Sequence, residues 1–292
     1  MIFGGRFDSL ARANRLHERR EPLHHNPCVG GSSPSSATKF TGASMTQPPN
    51  DVLAELVPTG PLRAAINLGN PVLVQKDVAT GKLSGVTIDL TKELSQRLGR
   101  PVEFVQFAAA GKVFEALKDN VWDIAFLAIE PVRAREIAFT APYVLIEGTY
   151  MVPVNSTLKE IADVDRPGIR IAVGPNSAYD LFLTRTLKHA TIVRAAQGGV
   201  RDMIDVFLSQ NLEVAAGIRQ PLVEYAKTAP NVRVMDGRFM EIRQAMGLPQ
   251  GRPAGLDYLR AFIEEMKSSG FVAEALRRSS QTDAAVAPPG AG

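Results

Sequence analysis

The sequence predicts an α/β fold in two lobes, each a parallel sheet covered by helices. Three observations predict it. Short apolar runs alternate with amphipathic helical stretches from Pro61 onward, the strand–helix series runs through twice, and a β-rich segment interrupted by glycine joins the two series. A chain of 292 residues is long enough for two such units with a sizeable core.

Residues 61–68 read as the first strand. A helix follows over 87–98, where Leu90, Leu94 and Leu98 recur four apart and Gly99 supplies the stop. Residues 102–107 form the second strand, and 113–117 lie in a short helix ended by Asp119-Asn120. The run 123–128 (DIAFLA) is almost wholly apolar, as a strand buried on both faces requires. The second unit repeats the order, with strands over 169–173, 191–194 and 213–217 and helices over 178–188, 200–208 and 221–227. Between the units, 144–153 (VLIEGTYMVP) suits an extended crossover strand, and 238–248 can carry the chain back. Leu256, Leu259, Ile263 and Met266 mark a helical stripe, and 271–278 a last helix, both read as core packing. The resulting division is 51–147 with 248–279 for the first lobe and 148–247 for the second. Residues 280–292, rich in Ala, Pro and Gly, read as a disordered tail.

Residues 1–44 stand apart. They lack hydrophobic periodicity and an apolar export segment, and read as a disordered or non-native tract. They also hold six of the 33 basic residues (Arg6, Arg12, Arg15, Arg19, Arg20, Lys39) and three of the 30 acidic ones (Asp8, Glu18, Glu21). The net charge of +3 therefore lies entirely there, and the rest of the chain is balanced. A balanced domain has no footprint for a polyanion, which excludes nucleic acid as a partner. No apolar run approaches the ~20 residues that span a bilayer. The single cysteine, Cys28, and three of the four histidines fall in the same tract, so neither a disulfide, a metal site nor any other cofactor site is expected in the folded part.

Five motifs, in order, resemble one family. They are Gly81-Lys82-Leu83-Ser84-Gly85 with Ile88-Asp89-Leu90 and Leu98-Gly99; Ala116-Leu117-Lys118-Asp119-Asn120-Val121-Trp122-Asp123; Arg133 with Ile137-Ala138-Phe139-Thr140-Ala141-Pro142-Tyr143; Ile161-Ala162-Asp163-Val164; and Asn176-Ser177-Ala178-Tyr179. Together they resemble the family 3 solute-binding proteins, the amino-acid receptors of ABC importers. The resemblance implies a type II periplasmic-binding-protein fold with two crossover strands, closing like a flytrap on a small amino acid or related organic acid. It also implies a monomer that delivers its ligand to an ABC permease, and no cofactor.

By the same resemblance Arg133 is the carboxylate anchor. A planar, permanently charged guanidinium that can bond both carboxylate oxygens fits that task. The bland alternative is a surface arginine such as Arg135. Asn176, Ser177 and Ala178 open a helix of the second lobe, where they either cap the helix or offer hydroxyl and N–H groups to the ligand. Asn70 in the first loop, with Ala128 and Glu130 at the end of the buried strand, completes the first-lobe side.

Two departures bear on the ligand. The family's aromatic first loop is replaced by Gly69-Asn70-Pro71-Val72-Leu73, which removes the ring usually stacked over the ligand. Past Glu213-Val214-Ala215-Ala216, where receptors of this kind place an Asp for the ligand's ammonium, stand Gly217, Ile218, Arg219 and Gln220. Arg219 and Gln220 are therefore expected to join the site, with an organic acid or second-anion compound bridging Arg133 and Arg219. The other reading starts a helix at Arg219 and points it to solvent. An enzyme related to cyclohexadienyl dehydratases is an alternative, with Glu130 and Glu147 as its acids. A cytosolic ligand sensor is another, since no export signal is legible at Met1 or Met45, whereas an importer would place the chain in the periplasm.

Gly31-Ser32-Ser33-Pro34 back-translates to a sequence resembling a transfer-RNA T-arm, which predicts that translation starts at Met45. The genomic DNA checks this: a transfer-RNA gene overlapping the codons for residues 29–38 is expected, and its absence would remove the idea.

Overall fold

A computed structural model describes residues 47–290. The readings of tract 1–44 and of a start at Met45 lie outside the described residues.

Among the described residues, twelve strands and eight α-helices follow one another. The first unit contains α1 (Asn50–Leu56), β1 (Leu62–Asn67), the short hairpin β2 (Gln75–Lys76) and β3 (Leu83–Ser84), α2 (Val86–Leu98), β4 (Val102–Phe107), α3 (Ala110–Glu115) and β5 (Ile124–Ala128). The long β6 (Ile137–Pro153) leads to β7 (Arg170–Val173), α4 (Ala178–Thr186), β8 (Thr191–Arg194), α5 (Val200–Ser209), β9 (Val214–Ile218), α6 (Arg219–Thr228) and β10 (Val232–Val234). The return strand β11 (Met240–Pro249) precedes α7 (Pro253–Ser268), α8 (Phe271–Arg278) and β12 (Ala285–Val286). None of the helices among the described residues is long and apolar enough to cross a membrane.

The main sheet path runs β4-β1-β5-β11-β6-β9-β7-β8. Pairing within β4-β1-β5 and within β9-β7-β8 is parallel, whereas β11 and β6 pair antiparallel with their neighbours and with each other. Two parallel triplets are thus joined by one antiparallel ribbon, the two-lobed fold the alternation predicts. Parallel strands need helical cover on both faces, and the burial of β5 and β9 along their whole length follows. α2 closes with Gly99 in the left-handed region at φ 62°, where a Cβ would be strained. The crossover strand begins earlier than its β-rich stretch implied: Ile137–Pro153 is one strand.

The tail departs from expectation. Far from being disordered, Ala285 and Val286 pair with Leu145 and Val144 of β6. Ala284 and Ala287 are buried, and the buried Lys267 donates from Nζ to the carbonyls of Pro142 and Pro288. Small side chains let the segment lie along β6 and satisfy backbone groups that would otherwise form an open edge.

Both lobes use the same device. Arg63 at the start of β1 donates from its backbone N, Nε and Nη2 to Asp123 and from Nη1 to the carbonyl of Asn120. Arg170 at the start of β7 donates from its backbone N, Nε and Nη2 to Glu213, and from Nη2 also to the carbonyl of Asn211. Asn120 and Asn211 both have positive φ, at 49° and 48°. Each pair ties the beginning of a first strand to the loop that feeds its parallel neighbour.

The two pairs differ in burial. The Asp123 side chain is 0% exposed, that of Glu213 34%. Asp123→Ala leaves Arg63 short of its partner in a dry site and is expected to cost about 3–5 kcal/mol. Glu213→Ala, screened by water, is expected to cost about 1 kcal/mol or less. Urea unfolding checks this, and equal costs would contradict it.

Candidate functional site

In α/β sheets, ligand crevices open beyond the carboxyl ends of parallel strands, where helix N-termini also point. Here those ends from both lobes face one another around a common cavity. Asn67, Gly69 and Asn70 come from the end of β1, Leu127 and Ala128 from β5, and Ala109 and Ala110 from the start of α3. The opposite wall brings Gly174 and Pro175 after β7, Ser177, Ala178 and Tyr179 at the start of α4, Gly198 and Gly199 before α5, and Ile218 at the end of β9. Ile242 and Gln244 of β11 complete it.

Arg133 also lines this cavity, from a single 3-10 turn (Arg133–Arg135) after β5. It is 1% exposed, so its charge has been taken out of water. Nη1 donates to the carbonyl of Ala128 at 3.1 Å and Nη2 to that of Asn176 at 2.8 Å, while Nε is buried with no partner. Desolvation pushes the guanidinium down to about 10, an effect opposed by the charge of Glu130, so it stays cationic at neutral pH. A buried cation hydrogen-bonded only to carbonyl oxygens among the described residues, with Glu130's charge nearby and one N–H unanswered, has a donor left to offer an anion.

Ser177 caps α4, its Oγ accepting from the backbone N of Asp180 at 3.1 Å. Capping fixes the start of a helix whose first residues, Ala178 and Tyr179, line the cavity. Asn176 takes a positive φ of 55° and turns its carbonyl onto Arg133, but it is not among the lining residues. Asn67 and Asn70 accept backbone bonds from Gly69 and Val72 through Oδ1, which fixes their side-chain amides at the rim of the first lobe.

Arg133, Ser177, Ala178, Asn70 and Ala128 are thus brought together. Three other expected residues are not, and these are corrections. Arg219 is the first residue of α6, and its Nε donates to Glu147 at 2.6 Å. Its Nη atoms reach the carbonyls of Met235 and Gly237, so the guanidinium is occupied beside the crossover strand. Gln220 follows it into α6 and lines no part of the cavity. Glu130 is buried but bound to Arg185 at 2.6 Å, an ion pair from the loop after β5 to α4 of the opposite lobe. Arg219 does start a helix, as the other reading has it, but its guanidinium is bonded to Glu147 and two carbonyls rather than pointing to solvent.

Sequence reasoning missed Gln244, Ile242, Tyr179 and the Gly198-Gly199 pair. The glycines carried a signal: residues 195–199 (AAQGG) sit between a strand and a helix, where phosphate- and ligand-facing turns need close backbone approach. A Cβ at Gly198 would lie 2.1 Å from the Cβ of Ala109, and one at Gly111 would lie 2.7 Å from the Cβ of Asn176. The lobes meet at these glycines.

Comparison with known proteins bears on the fold and the family. A family model described as bacterial extracellular solute-binding proteins, family 3, matches residues 62–280. The solute receptor for L-cysteine of Neisseria gonorrhoeae superposes with a TM-score of 0.67 at 24% identity, covering 78% of this chain and 92% of its own. An amino acid ABC transporter substrate-binding protein from Streptococcus pneumoniae, bound to L-arginine, gives 0.66 at 16%, covering 78% and 97%. An ancestral amino acid-binding protein, a precursor of cyclohexadienyl dehydratase, gives 0.64 at 23%, covering 77% and 98%.

Gly198→Val tests the contact. It is expected to keep the unfolding free energy within about 1 kcal/mol of the parent. By holding the lobes apart it should weaken capture of a cleft ligand about 10-fold or more. Calorimetry beside urea unfolding separates the two effects. An unchanged affinity would show that closure does not pass through this glycine.

Proposed function

The chain belongs to the bacterial extracellular solute-binding proteins of family 3, and from that premise we propose that it captures a small carboxylate-bearing solute, an amino acid or related organic acid, between its lobes. It then presents the closed complex to an ABC permease outside the cytoplasmic membrane, as a monomer. One observation carries this reading: the buried guanidinium of Arg133 at the lobe junction, whose Nε has no partner among the described residues.

The mechanism follows from its contacts. Arg133 belongs to the lobe of β1, β4 and β5, and the carbonyl it holds on Asn176 belongs to the lobe of β7, β8 and β9. A carboxylate docked on the guanidinium in the open form makes stronger, charge-assisted bonds than a neutral carbonyl does. Closure then brings up Ser177 and the N-terminus of α4, completing a shell that neither lobe has alone. Glu130 and Arg185 meet in the same movement. The lobes pivot about β6 and β11, the two strands that run between them.

Binding is favoured over dehydration by the placement of the two acids a dehydratase would use. Glu130 is held by Arg185, and Glu147 by Arg219 and Arg238. Neither lines the cavity, so neither reaches a bound substrate for proton transfer.

Arg133→Ala is expected to weaken binding of a captured acid by about 100-fold or more, because it removes a desolvated charge pair. Arg219→Ala should change it by less than about 3-fold. A thermal-shift screen of small acids followed by calorimetry on both variants is the test. Full affinity in Arg133→Ala would remove the anchor and the reading with it.

A further inference from the structure

From the charge inventory of the cleft we infer that this protein selects a monoanionic acid without an α-ammonium group, such as a 2-hydroxy, 2-oxo or simple carboxylic acid, over the corresponding α-amino acid. The inference rests on the carboxylate-binding reading above and narrows its ligand class.

Among the described residues that line the cavity, Arg133 is the one ionisable at neutral pH. The remaining polar lining side chains are neutral: Asn67, Asn70, Ser177, Tyr179 and Gln244. Burial pushes the Tyr179 phenol up, so it carries no negative charge either. The carboxylates packed behind the wall already have cations. Glu130 is bonded to Arg185 and its charge also acts on Arg133, and Asp180 is gripped by Arg194 through both carboxylate oxygens. Asp202 lines an adjoining outer cavity beyond Gly198 and Gly199, in company with Arg201.

Ile218 sharpens the point. It ends β9, faces the cavity and is 6% exposed. The wall opposite the arginine's lobe is therefore apolar at the strand end from which a side chain could reach the ligand's α-substituent. An α-ammonium enclosed here would lose its water, find no carboxylate, and stand close to the guanidinium that holds its own carboxylate. A hydroxyl or carbonyl at the same carbon asks only for a neutral partner, which the amides of Asn67, Asn70 and Gln244 can supply. A second anion is equally unserved, because Arg219 is bound to Glu147 rather than facing the cavity. The class is thus monoanionic.

Calorimetry with matched pairs decides the matter. The probes are lactate with alanine, 2-hydroxybutanoate with 2-aminobutanoate, 2-hydroxy-4-methylpentanoate with leucine, and 3-phenyllactate with phenylalanine. Simple and 2-oxo acids and succinate join the panel. The acid lacking the amine is expected to bind at least about 100-fold tighter than its amino partner in the pair that fits, with succinate weaker than the best monoacid. Ile218→Asp, which supplies the missing carboxylate, should narrow or reverse that ratio. The wild-type comparison stands alone if this variant fails to fold. An amino acid bound as tightly as its partner, with that binding lost in Arg133→Ala, overturns the ligand class and leaves the receptor reading intact. No binding by any member of the panel at millimolar concentration overturns the receptor reading itself.

Discussion

One buried guanidinium organises this molecule. Arg133 is a full charge at 1% exposure whose hydrogen-bond partners among the described residues are two carbonyl oxygens, one from each lobe. Removing such an ion from water is expensive, and carbonyl dipoles offset only part of the loss. The lowered affinity of Arg133 for its proton is the same deficit seen from the titration side. The closed arrangement therefore leaves a donor unanswered at Nε, the atom at which the proposed carboxylate would add its charge. Ligand-driven closure requires differential affinity for the closed state, and on the proposed reading this residue would supply it.

The rest of the fold places that charge. Two parallel triplets turn their strand ends toward a common gap, and β6 with β11 runs between them. Glu147 stands midway in this ribbon, with Arg219 and Arg238 bonded to it and Glu241 opposite it in register. Charge there serves geometry. It fixes the start of α6 and the approach to β11 on the crossover strand. Glycines do the complementary work at the rim, where Gly198 against Ala109 allows an approach no side chain would permit.

Much of the fold was legible because it follows from periodicity. The strands over 102–107 and 191–194 and the helix over 271–278 fall where the pattern put them, and α2 ends at the glycine that has to end it. What periodicity could not show was the two-residue pairing of β2, β3 and β12, since two residues have no period. In the site, Arg133 and Ser177 were legible through motif and capping chemistry. Gln244 and Ile242 were not: they sit in the middle of β11, and a strand residue's access to a cleft depends on which neighbour it pairs with, here Ala128 and Val144 for Gln244. Arg219 was misplaced for a related reason. Chain position puts it beside the cleft, but its direction is set by Glu147, 72 residues away.

The shared device at the base of each lobe shows how similar scaffolds come to hold a directional site. Arg63 with Asp123 and Arg170 with Glu213 solve one problem twice, tying a first strand to the loop that enters the next. At the opposite, carboxyl ends of those same strands the symmetry breaks. One lobe ends in the loop bearing Arg133, the other in Ile218 and the capped start of α4. A ligand enclosed between them meets charge on one side and neutral dipoles and methyl groups on the other. On the proposed reading, the difference between two similar halves would orient the ligand, its acid end toward β5 and its body toward β9.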